Sequence, residues 1–261
     1  MMFYLLRLNC TNKRRGLARL FTPKVSTMTE KICGMTYCVV AMRDYKVSDW
    51  NKVVAAAGPG NEIILPKGVT MPHGTDLFVP DAESVRRNYI IEGALTVLED
   101  AALHGARLKV ALLDKDAKSA YILPRLMQSA AEVTVFTKKL TEYDAVSDRL
   151  FDALGASPVV TDNSEKISDC SAVIAPNGIS GYGLLPLSAV IFSDCGSDCV
   201  NVSEECIDRG NLSAFGDYDI FSLIAATQHD KSFKGIRPTL KAMRTRESIV
   251  PLKEISRVFY S

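Results

Sequence analysis

The sequence predicts an α/β fold: a small N-terminal α/β lobe, then a Rossmann-like doubly wound parallel sheet, with late helices packing back. Three observations predict it. Apolar runs of strand length alternate with helical patterns from Leu108 to Pro176, and that alternation implies parallel strands joined by right-handed crossovers. A shorter set of strand and helix patterns lies between Met35 and Pro66. An amphipathic stretch from Asp81 to about His104 joins the two regions.

In chain order, Met35 to Arg43 reads as a strand. Ser48 is placed to cap a helix through Ala57, which Gly58-Pro59-Gly60 ends. Glu62 to Pro66 is a second strand, and Gly68 to Pro80 is a loop punctuated by glycine and proline. The connecting helix places Val85, Ile90, Ala94, Leu98 and Ala101 on its apolar side and ends at Gly105. The larger unit then reads strand Leu108–Asp114, helix Ala117–Ala130, strand Val133–Lys138, helix Tyr143–Leu154, and strands in Pro158–Asp162, Ser171–Pro176 and Ala189–Ser193. Short helices are expected over Ser203–Asp208 and Asp217–Lys231, and a last short helix or extended segment from Leu252. The domain organisation is therefore a leader over 1–27, the small lobe and connecting helix over 28–104, the Rossmann-like domain over 105–200 and a C-terminal helical segment over 201–261.

Charge and composition exclude several classes. The chain has 261 residues and a net charge of +1, which offers no general footprint for nucleic acid. No apolar run is long enough to span a membrane. The leader is the exception to the even balance, with six basic residues (Arg7, Lys13, Arg14, Arg15, Arg19 and Lys24) and no acidic one. Its apolar start precedes its charges, the reverse of a secretory signal. It reads as a disordered basic arm, a transit-like segment, or an upstream stretch with translation starting at Met28. Seven cysteines, an odd number scattered along the chain, suit reduced thiols in a cytoplasmic protein better than a disulfide framework. Cys195, Cys199 and Cys206 lack the C-x-x-C spacing of structural zinc sites, so no metal is expected.

The first strand of the larger unit runs into Asp114-Lys-Asp-Ala-Lys-Ser-Ala120, where a dinucleotide site carries G-x-G-x-x-G. None of the three glycines is present. Asp116 would sit as a carboxylate at the positive end of the following helix, in the place of a phosphate. It would then cap the helix and leave no nucleotide site. Lys115, Lys118 and the Ser119 hydroxyl could offset it. The second strand ends in Thr137-Lys138-Lys139. An acidic residue there would suit NAD, whereas a basic end suits the 2′-phosphate of NADP. The candidate cofactor residues are Asp114, Ser119, Thr137, Lys138, Lys139, Asn177 and Gly178. NADP or no cofactor at all are the two expectations.

Four stretches, in this order, resemble the shikimate dehydrogenase family. Gly68-Val-Thr-Met-Pro-His73 is similar to that family's N-V-T-x-P-H-K loop, and Leu108 to Lys139 to its cofactor domain. Ala175-Pro-Asn-Gly-Ile-Ser-Gly181 is similar to its N-A-T-x-x-G loop. Phe221-Ser-Leu-Ile-Ala-Ala-Thr-Gln228, with Phe233, is similar to its late helix. The resemblance implies two lobes, a dinucleotide and a substrate-binding role for Gln228. It departs from the family where Gly74 replaces the catalytic lysine, where the glycine-rich loop is lost, and where no S-x-S motif occurs near Cys33 to Arg43.

Hydride transfer with proton exchange needs a group that delivers or accepts a proton. Lys67, His73 and Asp76 cluster in the loop expected to face an inter-lobe cleft, and a lysine beside a carboxylate can be tuned for that task. The basic cluster Arg237, Lys241, Arg244 and Arg246 reads as a solvated face. The expected function is a divergent NAD(P)-binding oxidoreductase acting on a small polar substrate held in the cleft, a homodimer being compatible. The alternative is a non-catalytic binding or interaction module on the same fold that has lost the dinucleotide.

Overall fold

The computed structural model describes residues 3–8, 24–43, 46–163, 167, 169–180, 182, 185–186, 188–196, 198–228 and 235–260. Lys13, Arg14, Arg15, Arg19, Gly181, His229, Lys231 and Phe233 lie outside these residues. The chain divides into two units, Met1–Val85 with Arg209–Thr239, and Arg86–Asp208 with Leu240–Ser261.

The sheet of the first unit has four strands, β1 (Phe3–Leu8), β2 (Val25–Ile32), β3 (Met35–Met42) and β4 (Ile63–Ile64). They lie in the order β2-β3-β1-β4. β1 is parallel to both neighbours, and β2 is antiparallel to β3. This corrects the leader expected over 1–27, because Phe3–Leu8 is the strand that joins β3 to β4 and its Leu5 and Leu6 are fully buried. α1 (Trp50–Ala57) packs Trp50, Val53 and Ala57 into a core with Leu6, Val40, Met42, Ile63 and Leu77. The residue before α1 is Asp49, not Ser48, and it makes no side-chain cap. Asp49 is instead held by Lys52 Nζ at 3.1 Å.

Arg7, Glu30 and Tyr37 form a polar network on this sheet. The Arg7 guanidinium donates to both Glu30 oxygens at 3.1 and 3.4 Å, and the Tyr37 hydroxyl donates to Glu30 Oε2 at 2.7 Å. Burial, then the Glu30 hydrogen bond, pushes the Tyr37 phenol up to about 12. Hydrogen bonds from Tyr37 and Arg7 hold Glu30 below the usual carboxylate range. A raised phenol stabilises the fold below its ordinary value of about 10, and that stabilisation is lost as pH climbs from there through about 12. A lowered carboxylate stabilises above its ordinary value of about 4.3 and stops doing so as pH falls through the lowered one. Urea unfolding across pH should therefore show losses on both sides for the native chain. Tyr37→Phe should make the alkaline loss shallower and weaken the acid one; an unchanged alkaline slope would count against this network.

α2 (Ala82–Leu103) carries the chain into the second unit. Asp81 Oδ1 accepts from Ser84 N at 3.0 Å at its start. Gly105, at φ +85°, provides the left-handed turn after its end. The elements that follow are β5 (Lys109–Leu113), α3 (Leu123–Ser129), β6 (Glu132–Phe136), α4 (Asp144–Leu154), β7 (Val159–Thr161), β8 (Ala172–Ala175) and β9 (Val190–Ser193). Five parallel strands lie in the order β7-β6-β5-β8-β9. Val110 to Leu113, Val133 to Phe136 and Ala172 to Ala175 are buried along their whole length, as parallel strands covered on both faces must be.

α3 is much shorter than the helix expected over Ala117–Ala130. Ala117 is left-handed at φ +56°, residues 120–122 form a 3-10 turn, and Pro124 stands in the first turn of the α-helix. Proline has no N–H and clashes with the preceding turn, so it fits a helix only at its start. Likewise, the helix expected over Ser203–Asp208 is a 3-10 turn at Glu204–Cys206 followed by extended Ile207–Asp208.

The chain then returns to the first unit, where Tyr218 donates to the Leu6 carbonyl at 2.9 Å. α5 (Ile220–Thr227) begins later than expected because Asp219 is its N-cap, accepting from Ser222 N at 2.7 Å. Back in the second unit, Ala242–Arg244 pairs antiparallel with Ile249–Pro251. A Cβ added at Gly93 would come within 2.7 Å of Met243 Sδ, so this hairpin approaches α2 where it has no side chain. α6 (Leu252–Ser256) follows, with Ser256 Oγ bonded to Asp100 Oδ2 and the Tyr260 ring stacked on His104 at 4.4 Å. Lys241, Arg244 and Arg246 pair with Asp208, Glu205 and Asp198.

Candidate functional site

In a doubly wound sheet, ligands bind outside the carboxyl ends of the strands, where strand order reverses. Here that region is built by the turns after β5, β6, β7 and β8. Asp114 follows β5 directly. Its backbone N–H continues the sheet by donating to the Phe136 carbonyl at 3.1 Å. Its carboxylate points back into the turn: Oδ1 accepts from Lys118 N at 3.1 Å, and Oδ2 accepts from Ser119 N at 2.6 Å. The Tyr143 hydroxyl, from the turn before α4, donates to the same Oδ2 at 2.5 Å. Asp114 and Tyr143 are both 0% exposed. Burial, then the hydrogen bond to Asp114, drives the Tyr143 phenol far above its ordinary value.

This geometry corrects the role expected of Asp116. Asp114 takes the amides of the turn, and what Asp116 contributes is its carbonyl, which accepts from Lys139 Nζ at 3.4 Å. The reason is chain direction. A side chain at the strand end is aimed at the amides four and five residues ahead once Ala117 turns left-handed, whereas Asp116, within the same turn, is exposed.

Three of the sequence-selected residues meet beside this turn. Lys115, Thr137 and Lys138 line a cavity of about 120 Å³ together with Phe136, Asp162, Ser180 and Tyr182. Thr137 is buried, and its Oγ1 accepts from Lys139 N at 3.1 Å. Lys139 itself does not line the cavity, since its ammonium is on the Asp116 carbonyl. Ser119 is buried with its amide taken by Asp114. Asn177 is exposed in the turn after β8, where Gly178, at φ +83°, closes the turn onto the Ala175 carbonyl.

Lys67, His73, Asp76 and Gln228 belong to the first unit, and all four are exposed. Lys67 N donates to the Asp217 carbonyl at 2.9 Å. His73 lies in a turn closed by Thr75 on the Pro72 carbonyl. The Asp76 carbonyl accepts from Gly60 N, and the Gln228 carbonyl accepts from Arg237. Sequence reasoning missed Tyr143, Asp162, Ser180 and Tyr182. Asp162 had a usable signal, since it ends a strand pattern at the same edge as Lys138. The two tyrosines had none. Among the described residues no group of three or more His, Cys, Asp or Glu is disposed to hold a metal, and no helix is long and apolar enough to cross a membrane.

Five parallel strands with the first at the centre and two on either side define a Rossmann-like α/β protein, one whose first βα turn is closed by its own carboxylate. No family model and no curated protein matches the chain. Among solved structures it is similar to L-tryptophan dehydrogenase from Nostoc punctiforme, with a TM-score of 0.35 and 10% identity over 99% of this chain and 80% of that one. It is similar as well to quinate dehydrogenase from Corynebacterium glutamicum in complex with NAD, with a TM-score of 0.34 and 10% identity over 99% of this chain and 98% of that one. Likeness at this level carries nothing about activity, and the fold assignment rests on the strand order.

Proposed function

We propose that this chain is a Rossmann-like binding module that no longer takes a dinucleotide at its first βα turn. One observation carries the reading: the Asp114 carboxylate accepts from the amides of Lys118 and Ser119. In a dinucleotide site the amides of this turn receive the pyrophosphate. A second anion would meet a buried carboxylate in the same place, and like charges at close range in a low-dielectric site repel strongly. The residues present therefore do not fit a pyrophosphate. Gly74 at the position of the family's catalytic lysine agrees with this reading.

A second reading has its own support. Lys115, Thr137 and Lys138 line the cavity beside the turn together with Asp162, and two lysines with a hydroxyl outweigh the single carboxylate in favour of a phosphate. That is the arrangement an NADP-dependent oxidoreductase acting on a small polar substrate would use for the 2′-phosphate. The cavity of about 120 Å³ is well below the roughly 300 Å³ at which small-molecule sites begin, so it has room for a phosphate and not for the adenosine that carries it.

Thermal unfolding with millimolar NADP, NAD or inorganic phosphate separates the two. A ligand at about 100 times its Kd adds about 2.7 kcal/mol, a midpoint shift of about 2–4 °C for a chain of this size. The binding-module reading expects no shift with either dinucleotide. A shift with NADP that Lys138→Glu with Lys139→Glu removes would replace it with the oxidoreductase reading.

A further inference from the structure

The first unit carries an open groove of about 700 Å³ along the outer edge of its sheet, between β2 and α1, lined by Lys24, Val25, Thr27, Lys52, Ala55 and Ala56. It shares no residue with the cavity beside Asp114, so it goes beyond the reading above and stands or falls apart from it. β2 ends the strand order, with β3 on one side and, among the described residues, no strand on the other. The register shows which backbone groups that edge presents. Arg43 N donates to the Lys24 carbonyl at 3.0 Å, and Val25 stands opposite Met42. Hydrogen-bonded and non-bonded pairs alternate along an antiparallel ladder. Ser26, Met28 and Glu30 therefore turn their N–H and C=O groups toward β3, and Val25, Thr27, Thr29 and Lys31 turn theirs outward. Thr27, Thr29 and Lys31 are exposed. A row of outward backbone donors and acceptors is a template for a further strand. Proline and bulges commonly blunt such an edge, yet the pairing with β3 runs unbroken from Val25 to Ile32 with neither. The strand's one lysine, Lys31, stands at the end away from the groove.

The backbone edge calls for an extended chain, and the charge in the groove selects which one. Val25 packs on the core beneath α1, and Thr27, two residues on, shares its face. A strand added here therefore lays alternate side chains into the groove. The lining carries Lys24 and Lys52 and no carboxylate. Both ammonium groups share Asp49 Oδ1, at 3.8 and 3.1 Å, so one buried carboxylate leaves the pair with a positive surplus. The chain's own segment ahead of β2, with Lys13, Arg14, Arg15 and Arg19, has the wrong sign for this site. A second copy paired edge to edge about a two-fold axis would set one lysine-lined groove against the other. We propose that the outer edge of β2 receives an extended acidic segment of a partner protein as an added strand, its alternate Glu or Asp side chains lying between β2 and α1 opposite Lys24 and Lys52.

The test uses fluorescein-labelled peptides of about eight residues in which threonine alternates with either glutamate or lysine, titrated with the full chain and read by anisotropy. The glutamate peptide should bind at least about tenfold more tightly. The gap should narrow at high salt, because exposed charges are screened. N-methylation of alternate amides should abolish binding in one phase and spare it in the other, since only one set of amides faces β2. Thr27→Pro should abolish binding while leaving the urea midpoint nearly unchanged, because the Thr27 N–H points outward and takes no part in the ladder with β3. Lys24→Glu with Lys52→Glu should move the preference toward the lysine peptide, an effect that loss of folding cannot produce. Equal affinity for the two peptides, binding of neither, indifference to the phase of methylation, or a dimer in sedimentation velocity that Thr27→Pro dissolves would each overturn the proposal.

Discussion

A chain that begins at Met28 is expected to lose the fold of its first unit. β1 lies between β3 and β4, paired with Tyr37 to Met42 on one side and with Ile63 and Ile64 on the other. Removing it leaves β4 without its strand partner and opens the core around Val40, Met42, Trp50 and Val53, where Leu6 sits. Burying a large apolar side chain is worth about 1.5–3 kcal/mol, and Phe3, Leu5 and Leu6 are all buried. Their combined loss, before any hydrogen bond of the ladder is counted, approaches the whole stability of a typical domain, about 5–15 kcal/mol. The truncation also removes the first three residues of β2. Hydrogen exchange of the truncated chain should show β3 and β4 exchanging freely, while β5, β6 and β8, which have their own core, stay protected. The point variant Leu6→Ala should lower stability by about 2–5 kcal/mol with the chain otherwise intact. Unchanged protection of β3 in the truncated chain would show that β1 is dispensable.

What the sequence made legible follows the same physics. β5, β6 and β8 are runs such as Val-Ala-Leu-Leu and Ala-Val-Ile-Ala, and a strand buried on both faces announces itself as a continuous apolar run between turns. Gly105 and Asp81 marked the ends of α2 because capping chemistry is local. β1 was not legible. Phe-Tyr-Leu-Leu-Arg-Leu followed by basic residues has no periodicity of its own, and what makes it a strand is pairing with Tyr37 to Met42, far along the chain. α3 was overextended because apolar spacing continues through Pro124, which the helix tolerates only in its first turn. At the site, the end of β5 and the basic end of β6 were readable, and Lys115, Thr137 and Lys138 do meet. Which aspartate turns inward was not readable, because it depends on the left-handed Ala117 and on Tyr143, 29 residues beyond Asp114.

Asp114→Ala is expected to be among the most damaging single substitutions in the second unit. It removes the acceptor for two backbone amides and a phenol at once. Each buried donor left without a partner costs about 1–3 kcal/mol. The three share one carboxylate, so their losses do not add in full, and about 3–4 kcal/mol is the expected total. Asp114→Asn keeps one carbonyl oxygen, for Ser119 N and the Tyr143 hydroxyl, but sets its NH2 donor against Lys118 N; it should recover only part of that. Tyr143→Phe should be milder, about 1–2 kcal/mol, because Oδ2 still accepts from Ser119 N at 2.6 Å. The two variants together should cost less than their sum by about 1 kcal/mol or more, the signature of groups in direct contact. Urea unfolding of the four chains measures this coupling. Additive losses would mean that the phenol and the carboxylate do not hold each other. A coupled pair would instead fix the carboxylate in place: an anion supplied from solution would then have to displace a group that the fold itself orders, buries and hydrogen-bonds three times.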